Sequence, residues 1–156
     1  MLGILSAIEI EEVLNSYYVG HIGCHADDVT YVVPVSYAYD GEYIYGHAEE
    51  GRKITMMRKN PKVCFQLEHM DDMANWKSVV AWGEYEELKT FAERKPALDK
   101  LLGRHLPYLS SKTVRLSSDW PFVPEDKDII NGVIYRIRLT EKTGRFERIE
   151  GASFFK

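Results

Sequence analysis

Gly51, Arg52 and Lys53 carry the densest chemical signal in this sequence: a glycine and two cations that follow a strand-like run and open a short helical one. Free N–H groups at a helix start, the positive end of the helix dipole and two cationic side chains together suit a phosphate. The same triplet also reads as a solvated basic turn, and the residues alone leave both readings open. His47 ends the preceding strand-like run, so it would lie close to anything whose phosphate rests on Arg52 and Lys53. A strand-end histidine bonded to a backbone group is the alternative.

Other chemistries fit less well. Gly46 to Lys53, GHAEEGRK, approaches a nucleotide-hydrolase phosphate loop but puts Arg52 where the lysine belongs and Lys53 where a metal-binding hydroxyl belongs. Glu49 and Glu50 also put negative charge where such a loop must cradle phosphates, so a single phosphate monoester at Arg52 and Lys53 requires both acids to point outward. His21, Cys24 and His25 suggest a metal trio, but in a strand the two histidines share one face and Cys24 takes the other. Glu68 and His69 have no partner identifiable from spacing. Tyr31, Tyr37, Tyr39, Tyr43, Tyr45, Trp76 and Trp82 read mainly as core or interface aromatics, a subset of which would line a flat ring pocket.

The elements that must position these residues are mostly strands. Ser6 with Glu9 forms a capping box, and Ile10, Val13, Leu14 and Tyr17 continue at helical spacing, which predicts an opening amphipathic helix. VGHIGCHA and TYVVPVSYAY, separated by Asp27-Asp28, predict two strands, and Asp40-Gly41 predicts a hairpin pairing the second with EYIYGH. Pro34, inside the second strand, marks a bulge, an edge or a point of ligand approach. RKITMMRK reads as a helix stopped at Asn60-Pro61, KVCFQLE as a fourth strand, HMDDMAN as a polar loop and WKSVVAWGEYEEL as a fifth strand with a bulge or close approach at Gly83. Thr90 with Glu93 repeats the capping box and opens a further helix, kinked or restarted at Pro96, with Leu98, Leu101, Leu102 and His105 on one face. Residues 107 to 128 hold three of the six prolines and predict a long irregular crossing. VIYRIRLTEKTGRFERI predicts a sixth strand with an edge hairpin around Lys142-Thr143-Gly144.

At 156 residues, 45% of them hydrophobic and 28% charged, the chain reads as one domain over residues 1–156. A net charge of -4 gives no whole-chain field favouring nucleic acid, so a bound phosphate needs a local basic cluster. No run approaches the ~18 apolar residues of a membrane span, and the start MLGILSAIEIEE lacks a basic leader. Together these predict a cytoplasmic protein without membrane contact, its two cysteines, Cys24 and Cys64, acting as small buried hydrophobes.

The ordered string VVPVSYAYDGEYIYGHAEEGRKITMMRKNPKVCFQLE, followed by WKSVVAWGEYEEL, resembles the flavin-binding split-barrel superfamily related to pyridoxamine 5'-phosphate oxidase. Within it the chain is most similar to the branch containing nitroimidazole-resistance proteins. The resemblance implies a mainly β (α+β) fold, a six-stranded antiparallel split β-barrel with a few flanking helices, holding FMN or FAD between the subunits of a homodimer. It implies that Val33, Pro34 and Val35 run beside the flavin ring and that Tyr45, Gly46 and His47 lie along the cofactor. Gly51, Arg52 and Lys53 would take its phosphate, and Ser78 and Val79 would approach the polar edge of the ring. It further implies an oxidoreductase, with two-electron reduction of a nitroaromatic as the leading activity, His47 shaping the reactive side, and a flavin- or haem-binding protein without turnover as the alternative. The C-terminal stretch TEKTGRFERIEGASFFK lacks the tryptophan and arginine-rich pattern for the vitamin phosphate, which argues against pyridoxamine phosphate oxidation.

Overall fold

A computed structural model describes residues 1–104 and 131–149. His105 and the expected crossing over residues 107 to 128 lie outside them. The elements are β1 (Leu2–Ile4), α1 (Ala7–Ser16), β2 (Val19–Ala26), β3 (Val29–Ser36), β4 (Ala38–Tyr39), β5 (Tyr43–Ala48), α2 (Arg52–Lys59), β6 (Lys62–Asp72), β7 (Asn75–Leu88), α3 (Phe91–Leu102) and β8 (Val133–Glu147). All pairings are antiparallel, in the order β3-β2-β6-β7-β8-β5-β4, with β1 added along β8. The eight strands form a sheet that is not closed, the split barrel expected from the sequence with two short strands more than the six counted there.

Three local expectations are met by specific interactions. Both capping boxes form: Ser6 and Thr90 accept from the N–H groups of Glu9 and Glu93, whose carboxylates bond back to the caps. Asp27 and Asp28 take positive φ, 51° and 62°, as a tight hairpin requires. Pro34 lies on β3, which among the described residues pairs with β2 alone and so forms an edge, where its missing N–H costs no ladder bond.

Three expectations need correction. TYVVPVSYAY is two strands, because the chain crosses at Tyr37 from one edge of the sheet to the other; only β4 pairs with β5 across Asp40-Gly41. Tyr37 is buried at that crossing, donating its hydroxyl to the Leu14 carbonyl (2.7 Å) and packing edge-on to Phe65. Second, HMDDMAN is not all loop: β6 continues through Asp72, since Trp76 and Lys77 of β7 offer it ladder partners. Third, Lys142-Thr143-Gly144 makes no edge hairpin. β8 runs unbroken between β7 and β5, then between β7 and β1, so it is interior to the sheet.

The barrel core contains Ile22, Phe65, Leu67, Val79, Tyr135 and Ile137, closed at one end by Ile10, Val13 and Leu14 of α1. A second cluster, Tyr45, Leu88, Leu98, Leu101 and Ile134, glues α3 to the outside of β5 and β8. Each buried aliphatic side chain contributes on the order of 1.5–3 kcal/mol. At Gly83 the ladder slips, pairing Trp82 with Glu141 but Gly83 with Leu139, and the expected bulge lies on β8 at Thr140.

Candidate functional site

The unpaired seam of the split barrel lies between edge strand β3 and β5, and α2 starts just past the end of β5. The three helices among the described residues differ at their N-termini. α1 and α3 fill theirs with a glutamate, whereas α2 has Gly51 at its cap with no side-chain hydrogen bond and no acid in its first turn. Its first intrahelical bond is from Thr55 N–H to the Gly51 carbonyl (3.0 Å).

The four cations of α2 divide in the same way. Arg58 is clamped between Glu50 and Glu87, and Lys59 pairs with Asp27. Among the described residues neither Arg52 nor Lys53 has a carboxylate within ion-pair distance; Arg52 lies 5.1 Å from the centre of the Tyr31 ring. Burial pushes the Lys53 ammonium below its ordinary value. Glu50, bound to Arg58 through both oxygens, is turned away from the helix start, and Glu49 is exposed. The condition for a phosphate monoester set by these acids is therefore met for Glu50. An uncapped helix end with two unpaired cations is a place where an anion lowers the energy.

The other sequence-identified residues divide between the two faces of the sheet. Val33 and Val35 of β3 turn into the barrel, and Pro34 faces outward. Gly46 is explained by packing: a Cβ there would stand 2.3 Å from the Tyr135 ring. Tyr45 is buried under α3 with its hydroxyl on Asp40 (2.7 Å). Val79 is fully buried, so only its backbone can reach a ligand. Ser78 faces outward and accepts a 3.4 Å bond from Gln66 Nε2, while Gln66 Oε1 accepts from His21 Nδ1 (3.1 Å). His21 is paired with Pro34, so this relay links Ser78 to β3 across the outer face. Sequence reasoning missed it, because Gln66 has no local signal and His21 had been considered only as a metal ligand. Cys24 is buried on the opposite face from His21 and His25, as strand geometry required.

His47 is half-buried at the end of β5, with Nε2–H donating to the Asn131 carbonyl (2.6 Å). Both a structural and a cofactor-facing role remain compatible with that bond, which leaves Nδ1 as the acceptor of the neutral ring. Burial, aided by the nearby charges of Arg94 and Arg104, holds its pKa below the ordinary 6.5. The unfolded chain then binds the proton more readily, so stability is full above 6.5 and declines as pH falls from there toward the folded value. We expect His47→Gln to flatten this segment of the stability–pH profile in denaturant titrations; an unchanged slope would show that His47 is not the group responsible.

The family model described as pyridoxamine 5'-phosphate oxidase matches residues 6–146. An uncharacterized protein of Rhizobium meliloti is 38% identical over 85 residues, 54% of this chain and 56% of its own length, so the match spans little more than half of that relative. A FAD-binding protein from Mesorhizobium loti superposes with a TM-score of 0.73 at 32% identity, covering 95% of this chain and 99% of its own. A candidate 5-nitroimidazole antibiotic resistance protein from Bacteroides thetaiotaomicron shares the fold, with a TM-score of 0.69 at 18% identity over 94% of this chain and 87% of its own. With the model spanning all but the ends of the chain, the protein belongs to the pyridoxamine 5'-phosphate oxidase family.

Proposed function

We propose that the chain binds a flavin nucleotide along the β3–β5 seam, with the flavin's phosphate on the start of α2, and that it acts as an FMN-dependent oxidoreductase on a small molecule. The observation that carries this reading is the uncapped α2 N-terminus, where Arg52 and Lys53 have no counterion among the described residues while Arg58 and Lys59 are paired. The FAD-binding relative supports a flavin and leaves FAD as the alternative to FMN. Arg52 and Lys53 would hold the phosphate, Pro34 and the backbone of β3 would flank the ring, and Ser78 with His21 and Gln66 would offer polar contacts. A bound flavin supplies two-electron transfer; the protein fixes it, tunes it and shapes the space beside it. Nitroaromatic reduction is the activity we propose first, with His47 lining the substrate side.

A homodimer completes this reading. Register aligns Val32, Gly23, Cys64 and Trp82 in one row across the outer face of β3, β2, β6 and β7. Val32 and Trp82 are 62% and 41% exposed, and Val19 on the same face is 55% exposed. This apolar row, beside the polar His21–Gln66–Ser78 row, fits a second copy by a two-fold axis. Sedimentation at micromolar concentration should give a dimer; a stable monomer that still holds flavin would contradict it. Anaerobic bleaching of the bound flavin by a nicotinamide donor, followed by reoxidation on adding a nitroaromatic, tests turnover. A flavin that no donor reduces would leave a binding protein without turnover.

A further inference from the structure

A cleft of about 480 Å³ opens between the last turns of α1 and α3, lined by Leu14, Tyr17, Tyr18, Tyr37, Tyr39 and Arg104. Arg104 is largely buried, and its partners among the described residues are all neutral. Nε–H donates to the Leu101 carbonyl (2.8 Å), and Nη1 donates to Ser36 Oγ (2.6 Å) and the Tyr37 carbonyl (3.3 Å). No carboxylate lies within ion-pair distance of it among the described residues, whereas Arg58, Arg136 and Arg138 all meet glutamates. Asp99, at the cleft's rim, bonds to Lys95 instead.

A guanidinium has five N–H donors, and these bonds use three. The two on Nη2 have no acceptor among the described residues. Burial lowers the Arg104 pKa to about 10, which still leaves it charged at neutral pH. A largely buried cation without a counterion is costly, and an incoming anion offsets that cost. The walls specify the rest of the ligand. Tyr18 is exposed and Tyr17 and Tyr39 are part-exposed, with the Tyr39 hydroxyl spent on Glu11, so these three offer aromatic ring surface to the cleft while Tyr37 stays buried behind it. Lys100 at the rim adds a second positive charge.

We propose that this cleft binds a small aromatic carboxylate, its carboxylate on Arg104 and its ring against the tyrosine wall. The cleft shares no lining residue with the start of α2, and its Arg104 charge also acts on His47. The probes are benzoate and its uncharged isostere benzamide, titrated by ligand-observed NMR against flavin-free protein and again with FMN added. Benzoate should bind at least tenfold more tightly than benzamide in both samples, as expected for a hydrogen bond between charged groups. Arg104→Gln should bring benzoate to the level of benzamide. Since Arg104 also docks α3 onto Ser36, that variant is first checked for a native thermal transition. If it does not fold, the benzoate–benzamide comparison on the parent decides alone. Equal binding of the two probes, no binding of either, or benzoate binding only with FMN present overturns the proposal.

Discussion

Arg52→Ala and Lys53→Ala are each expected to weaken FMN binding roughly ten- to a hundredfold, while riboflavin binds both variants as it binds the parent. A phosphate monoester carries close to two negative charges at neutral pH, and in the proposed placement the start of α2 would meet it with two cations and backbone donors that no side chain caps. A hydrogen bond to a charged group is worth about 1.5–3 kcal/mol, which at 1.4 kcal/mol per decade gives that range. Riboflavin lacks the phosphate and serves as the internal control. The loss should come mainly from Lys53, which is half-buried and has no carboxylate partner among the described residues, and less from Arg52, which is exposed and rests on Tyr31. Arg58→Ala makes the contrast: it breaks the Glu50 and Glu87 clamp on the same helix and should leave FMN affinity within about threefold, exposed ion pairs being worth little. Parental FMN affinity in both first-turn variants would move the phosphate elsewhere.

Gly83→Ala is expected to destabilise the fold by about 3 kcal/mol, the upper range for forcing extra volume into a packed site. A Cβ at Gly83 would stand 2.3 Å from the Arg138 carbonyl oxygen and 2.9 Å from Ile137 Cγ2, and the first of these is backbone in the central strand β8. The β7–β8 bulge would have to open, straining the longest ladder in the sheet. For a chain of this size the shift in melting temperature is on the order of 6–12 °C. Gly51→Ala provides the control. Gly51 is extended at φ -178°, its Cβ would approach nothing closer than 3.9 Å, and the melting temperature should hold. Equal melting temperatures for Gly83→Ala and the parent would show that β8 can move aside without cost.

What the sequence revealed and what it hid follow from the range of the interactions. Ser6 with Glu9, Thr90 with Glu93, the Asp27-Asp28 turn and the stop at Asn60-Pro61 are settled within a few residues, and each was readable. Tyr37 was not, because its break depends on the sheet rolling until its two edges meet in consecutive residues. β8 was misread for the opposite reason: Thr143 and Gly144 look like a turn in isolation, yet pairing with β7 along its length and with β5 or β1 on the other side overrides that local preference. At the candidate site the Gly51-Arg52-Lys53 triplet was legible because it is contiguous. The His21–Gln66–Ser78 relay joins three strands, and Arg104 reaches Ser36 across 68 residues, so neither had a sequence signature. Strand alternation also separated Cys24 from the two histidines before any coordinates were needed.

The central claim, that this split barrel is built around a flavin nucleotide, is tested most directly by denaturing the purified protein and identifying the released small molecule by mass spectrometry. The account expects FMN, or FAD with the same phosphate on α2, at close to one equivalent per chain. A chain that releases no flavin and takes up neither added FMN nor added FAD would contradict it.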